Sequence, residues 1–311
     1  MTDIDPEILA ARAAQAQVVP PFDVTALPTA EARALADRAA ASFNDGLPAI
    51  ATVEDHRIDG PGGDLRIRRY RPALAGRGAI LYIHGGGWFA CSVDTHDRML
   101  RTLANEAGVT VFAVDFRLAP EHPFPAALHD CIAAWDRVRA NAAGFGIDPD
   151  RIAVAGDSAG GNLALALAID RRNRKLPMPA GGALLYACLA PGIESDSSRR
   201  YGPGGYGLTA DRMGWYWDNY LGPAKAAPPA LATPLCCAME GLPPQFIGIA
   251  EADTIADESR LLYEKLRAAA VPAELVMWPG AVHGFLQMTR DVALARRAVR
   301  ETALALAAWT A

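Results

Sequence analysis

Lysine is nearly missing from this chain: among 311 residues there are three, Lys175, Lys225 and Lys265, and the arginines are scattered rather than clustered. The formal net charge is −5, so no basic patch is present to draw a nucleic-acid backbone. No apolar run approaches the roughly 20 residues that a membrane-spanning helix needs. The first residues, Met1-Thr2-Asp3-Ile4-Asp5, are acidic and lack the basic-then-apolar order of a secretory leader. The expectation is a cytoplasmic protein with no stable membrane insertion. Cysteine is sparse too: five residues (Cys91, Cys131, Cys188, Cys236, Cys237), odd in number and without a C-x-x-C pair. That pattern argues against a disulfide framework or a zinc knuckle and leaves free thiols packed as small apolar groups. There is no internal repeat and no long low-complexity linker.

What the chain does have is apolar material: 51% of residues are hydrophobic and 21% charged, enough for one large α/β domain. Eight short runs read as strands: Thr52–Ile58, Leu65–Tyr70, Ala79–His84, Thr110–Phe116, Ile152–Gly156, Gly182–Ala187, Gln245–Ala250 and Glu274–Trp278. The first two alternate polar and apolar residues, which suits a half-exposed antiparallel start to a sheet. The later ones, such as Ile80-Leu81-Tyr82-Ile83, are continuously apolar, as strands covered on both faces are. Helical stretches at Asp130–Ala140, Ser158–Arg172, Asp257–Ala270 and Arg290–Trp309 fall between or after them, which predicts a mostly parallel sheet. Two regions break the rhythm. Residues 1–46 hold two Ala-rich helical stretches, and residues 188–235 a Gly/Pro/Ser-rich stretch followed by an aromatic helix, Thr209–Leu221. Extras of this kind usually lie over the carboxyl ends of the strands, where ligands bind. The organisation expected is therefore a helical cap segment over 1–46 and a main α/β domain over 47–311 with a cap-like insertion at about 188–235.

The chemistry-bearing signals are local. Gly156-Asp157-Ser158-Ala159-Gly160 follows the apolar strand Ile152–Ala155 and opens a helical run, the strand–turn–helix setting of a G-x-S-x-G nucleophile elbow. A side chain at 156 or 160 would crowd the turn that lifts the Ser158 hydroxyl clear of the sheet. His84-Gly85-Gly86-Gly87-Trp88 follows another strand. Its glycines let backbone N–H groups approach an oxyanion, and Gly85, Gly86 and Ala159 are assigned as the donors. The base follows by elimination, because the order along such chains is Ser, acid, His. Of six histidines (His56, His84, His96, His122, His129, His283), only His283 lies after Ser158. Asp253, just past the strand Gln245–Ala250, is the preferred acid, with Asp257 and Glu251 as alternatives. It would hold the His283 imidazole in its working tautomer.

Together these residues resemble the hormone-sensitive-lipase-like family of α/β-hydrolases, a group of bacterial carboxylesterases and lipases. Over roughly residues 50–300, HGGGW, GDSAG, Asp115-Phe116-Arg117-Leu118-Ala119-Pro120-Glu121-His122-Pro123-Phe124-Pro125-Ala126-Ala127, Gly241-Leu242-Pro243-Pro244 and Val282-His283-Gly284-Phe285 are similar to that family's motifs. Two departures are the acid-site Asp253-Thr254-Ile255, where the family has Asp-Pro-Leu, and Cys91-Ser92, where it often has Gly-Ser. The resemblance implies an α/β-hydrolase fold with a mostly parallel eight-stranded sheet and an N-terminal helical cap. It also implies a triad on Ser158, Asp253 and His283, no cofactor and no metal, and small-molecule esters of short- to medium-chain acids as substrates. Arg117 and Glu121 are expected to pair in a loop supporting the oxyanion turn. Trp88, Cys91 and Trp215 are candidate pocket residues. The edge of the last strand is a surface on which a homodimer is expected to form. Two other readings stay open: an amidase or deacetylase using the same triad, and a non-catalytic ligand-binding protein on this fold.

Overall fold

In the computed structural model, which describes residues 3–311, eight strands form one sheet in the order β1-β2-β4-β3-β5-β6-β7-β8. They are β1 (Thr52–Gly60), β2 (Gly63–Arg71), β3 (Ala79–Ile83), β4 (Thr110–Val114), β5 (Ile152–Asp157), β6 (Gly182–Leu185), β7 (Gln245–Ala252) and β8 (Ala273–Val282). β2 pairs antiparallel with β1 and β4, and all the other pairs are parallel. β8 runs four residues past the end expected at Trp278, through Pro279 and Gly280, with a register irregularity at Ala250/Ala252 of β7. Pro279 is tolerated because β8 is an edge strand, where a missing N–H donor costs no ladder bond.

The helices are α1 (Pro6–Val18), α2 (Thr29–Ala41), α3 (Asp97–Ala107), α4 (Ala126–Ala140), α5 (Ala142–Phe145), α6 (Ala159–Asn173), α7 (Asp196–Tyr201), α8 (Ala210–Leu221), α9 (Ala256–Ala268) and α10 (Ala293–Thr310). The continuous apolar strands feed two cores because successive side chains point to opposite faces. Leu81, Ile83, Phe112 and Val154 face Trp135 of α4, Leu163 of α6 and Leu262 of α9. Ile80, Tyr82, Val111 and Ala153 belong to the other core, with Leu100 and Leu103 of α3 and Val299 and Leu306 of α10. α3 is not among the helices marked from sequence. It buries Met99, Leu100, Leu103, Ala104 and Ala107, a helical stripe, and ends on Gly108 at φ 63°, the left-handed stop that favours glycine. Among the described residues no helix is long and apolar enough to cross a membrane.

The expected Arg117–Glu121 pair does not form. Arg117 turns onto Asp130 of α4, with Nε to Oδ2 at 2.9 Å and Nη2 to Oδ1 at 2.9 Å. Glu121 instead takes both terminal nitrogens of Arg33 from α2, at 2.8 and 2.6 Å. Arg33 also donates to the carbonyls of Phe89 and Ala119. One turn further along α2, Asp37 accepts the Cys91 N–H at 2.6 Å. The N-terminal segment is therefore fastened to the loop that leaves β3.

Candidate active site

The turn between β5 and α6 places Ser158 at φ 54°, ψ −119°, a conformation that costs a non-glycine residue on the order of 1–3 kcal/mol and persists where the surroundings enforce it. Here the enforcement is steric. A Cβ on Gly160 would run into the carbonyl of Ile83, and one on Gly156 into the backbone of Gly160. The elbow therefore packs directly onto the end of β3. The Ser158 N–H is fixed to the Leu185 carbonyl of β6 at 2.8 Å.

Three strand ends converge on the serine. His283 follows β8 and Asp253 follows β7. Ser158 Oγ lies 2.8 Å from His283 Nε2, and His283 Nδ1 lies 2.6 Å from Asp253 Oδ2. Asp253 is 1% exposed, and its other oxygen accepts the Ile255 N–H at 3.1 Å. An ionised carboxylate can only accept. Nδ1 therefore carries the imidazole proton, and Nε2 is free to accept from the serine. Neither alternative acid reaches the ring: Asp257 accepts the Ser197 N–H and pairs with Arg260, and Glu251 accepts the Gly280 N–H.

The glycine turn needs a correction. The N–H of Gly85 donates to Asp157 Oδ1 at 3.0 Å and is not available to an oxyanion. Gly86 and Gly87, at φ 117° and 62°, line the cavity beside Ser158, and their N–H groups have no partner among the described residues. Ala159, the third residue assigned, opens α6, where N–H groups lack intrahelical acceptors. Both glycines are required by close approach as well. A Cβ on Gly86 would meet the Ala90 carbonyl, and one on Gly87 the ring of Tyr216.

Behind this turn lies a buried polar cluster that sequence reasoning did not single out. Asp157 accepts from Tyr82 at 2.8 Å and faces His96 Nε2 at 3.5 Å. Burial opposes its ionisation, but His96 and Tyr82 outweigh burial and hold its carboxyl below the usual range. His84, stacked on Phe116 at 4.3 Å, bonds the Gly85 carbonyl at 2.7 Å. Burial, and then the charge of His96, push its pKa down to about 4. Cys188 was also missed: its Sγ is 3.4 Å from Ser158 Oγ. Burial raises that thiol well above its ordinary value, so it meets the serine as a neutral group.

The serine opens into a cavity of about 450 Å³. Its far walls come from α1, α2 and the turns around them (Val19, Phe22, Phe43) and from the insertion (Leu208, Met213, Tyr216). Of the candidate pocket residues, Cys91 lines it. Trp88 does not: it is fully buried, stacked on Tyr220 at 4.0 Å and tilted against Trp217 at 4.7 Å. Trp215 also turns away, packing edge-on against Phe89 at 4.8 Å. The aromatic helix presents Tyr216 to the cavity instead. Among the described residues no three His, Cys, Asp or Glu side chains gather as metal ligands would.

A serine on an elbow after β5, a carboxylate after β7 and a histidine after β8, on a sheet of this order, define the α/β-hydrolase class. A family model described as alpha/beta hydrolase fold matches residues 80–287. The chain belongs to the hormone-sensitive-lipase-like family of α/β-hydrolases. It is 37% identical over 244 residues to the carboxylic ester hydrolase LipN of Mycobacterium tuberculosis, a match covering 76% of this chain and 65%, just under two thirds, of that relative. It is 33% identical over 267 residues to an acetyl esterase of Salmonella paratyphi A, covering 84% and 81% of the two chains. The structure of a hyperthermophilic esterase from the archaeon Pyrobaculum calidifontis superposes with a TM-score of 0.92 at 35% identity, covering 98% of both chains.

Proposed function

We propose that the protein is a serine carboxylesterase that hydrolyses small acyl esters of short to medium chain length through an acyl-enzyme on Ser158. The observation that carries this reading is the unbroken hydrogen-bond chain from Ser158 Oγ through His283 to Asp253. His283 Nε2 takes the serine proton as Oγ attacks the ester carbonyl. The N–H groups of Gly86, Gly87 and Ala159 receive the oxyanion. His283 returns the proton to the departing alcohol, and a water activated by the same ring then releases the acid. Asp253 stabilises the transient imidazolium. The cavity of about 450 Å³ is in the range that small-molecule sites occupy. The relatives' names as ester hydrolases support the same choice of bond. In this reading residues 1–46 and the 188–235 insertion together form the cap, and two copies pair along β8.

The test is hydrolysis of p-nitrophenyl esters from acetate to palmitate by the wild type and by Ser158→Ala. The expected profile peaks at short or medium chains, and the variant loses on the order of 10⁶ in rate, as removal of a triad serine does elsewhere. An undiminished variant overturns the nucleophile. A folded wild type inert on every ester moves the reading to the amidase or the binding protein.

A further inference from the structure

Most arginines near this site have an anionic partner: Arg33 holds Glu121, Arg66 holds Asp94 and Asp115, and Arg117 holds Asp130. Two do not. Arg12 of α1 and Arg212 in the first turn of α8 both line the cavity that ends at Ser158, and neither has a carboxylate within salt-bridge distance among the described residues. Nearby carboxylates are engaged elsewhere. Asp23, the acidic group that senses Arg212, caps its own turn through Thr25 N and Oγ1. Asp157 is tied to Tyr82 and Gly85.

The two arginines also share that cavity closely enough to sense each other's charge. Burial first, and then the like charge of Arg212, lower the pKa of Arg12. An acidic chain, with 35 Asp and Glu against 30 Lys and Arg, here leaves two cations on one cavity without a direct ion pair among the described residues, Asp23 acting on Arg212 only from a distance. Both are joined to the reaction centre by the cavity. Tyr216 stands one helical turn from Arg212 on the same face of α8, about 6 Å away at Cβ, and its ring lies against Gly87. Arg12 comes from α1, with its guanidinium over Gly207 at 3.7–3.8 Å from where a Cβ would stand.

We infer that the natural substrate is an ester carrying a second, ionised acidic group, a carboxylate half-ester being the simplest form, which Arg12 and Arg212 hold while Ser158 attacks the ester carbonyl. This rests on the esterase reading above. Guanidinium forks match a carboxylate in geometry and bind it with charge-assisted hydrogen bonds. Both arginines line the same cavity as Ser158, so one ligand can span from the serine to the cations.

The experiment compares p-nitrophenyl half-esters of C4 to C6 dicarboxylic acids with neutral p-nitrophenyl esters of equal length. A mirrored series sets acetates of ω-hydroxy acids against plain alkyl acetates, so that a charge on the alcohol side is also covered. The readout is the ratio of kcat/KM, charged over neutral, in the wild type, Arg12→Gln, Arg212→Gln and the double variant. The expected result is a wild-type ratio at or above one in one series. It falls at least about tenfold in each single variant, chiefly through KM, and falls further with added salt in the wild type. Neutral esters turned over while both ratios stay low and unmoved by the substitutions would overturn this inference and leave the esterase standing. Failure on every ester by folded protein would overturn both.

Discussion

Glu258 sits beneath the site without touching the reacting atoms. One of its carboxylate oxygens receives the N–H groups of Leu189 at 2.5 Å and Ala190 at 3.2 Å, just past the Cys188 that meets the nucleophile. Burial raises its pKa to about 8, the two N–H groups pull it down and the charge of Asp253 adds to the rise. The folded chain thus holds this proton more tightly than the unfolded chain does. Its contribution to stability is fully present below the ordinary carboxyl value of 4.5 and is lost as pH climbs towards 8. Glu258→Gln keeps an acceptor for both N–H groups and removes the charge. Melting temperatures measured from pH 5 to 9 should fall less steeply in the variant than in the wild type. Parallel curves would mean that Glu258 does not titrate in this window. The pattern of apolar residues gave no hint of it, because a glutamate in the first turn of a helix reads as an ordinary solvated anion.

At the level of elements, α2 is more than a wall. Arg33 reaches two carbonyls and a carboxylate, and Asp37 one N–H. Both fix the segment Phe89–Cys91 directly downstream of the glycine turn. Arg33→Ala is expected to speed hydrogen exchange in residues 29–46 and to lower kcat/KM by roughly ten- to a hundredfold, the scale of small misplacements at a reacting centre. Arg33→Lys should recover only part, since one ammonium cannot serve all three partners at once. Wild-type exchange and rate in both variants would reject the coupling. The elements themselves were largely legible. Eight strands were visible because a buried strand needs an apolar residue on each face. The meeting of Ser158, Asp253 and His283 followed from which residues close strands or open helices. Partner choice was not legible. Arg117 met Asp130 instead of Glu121, Gly85 was taken by Asp157, and Trp88 went into the core. Each outcome depends on which distant segment arrives alongside, and local spacing carries no record of that. α3 and the extension of β8 were missed for a similar reason: a His before the first turn and a Pro-Gly inside a strand both read as breaks.

For the whole molecule, the strand order leaves β1 and β8 as edges. β8 carries Met277 at 40% exposure beside the unpaired N–H and C=O groups that an edge offers a second chain. The dimer proposed through this edge predicts a light-scattering mass of twice 32.9 kDa, and a single-chain mass at working concentration rejects it. The division of labour around the cavity has a wider consequence. The groups that make and break bonds hang from the ends of a sheet buried on both faces, whereas the far walls of the cavity come from two segments well separated in the chain, within 1–46 and 188–235. Variation at the cavity-facing positions of those segments, Arg33 and Asp37 left in place, can change what is admitted while the reaction centre keeps its geometry. A lineage built this way can explore new diets by editing its doorway, one exchange at a time, without first dismantling its engine.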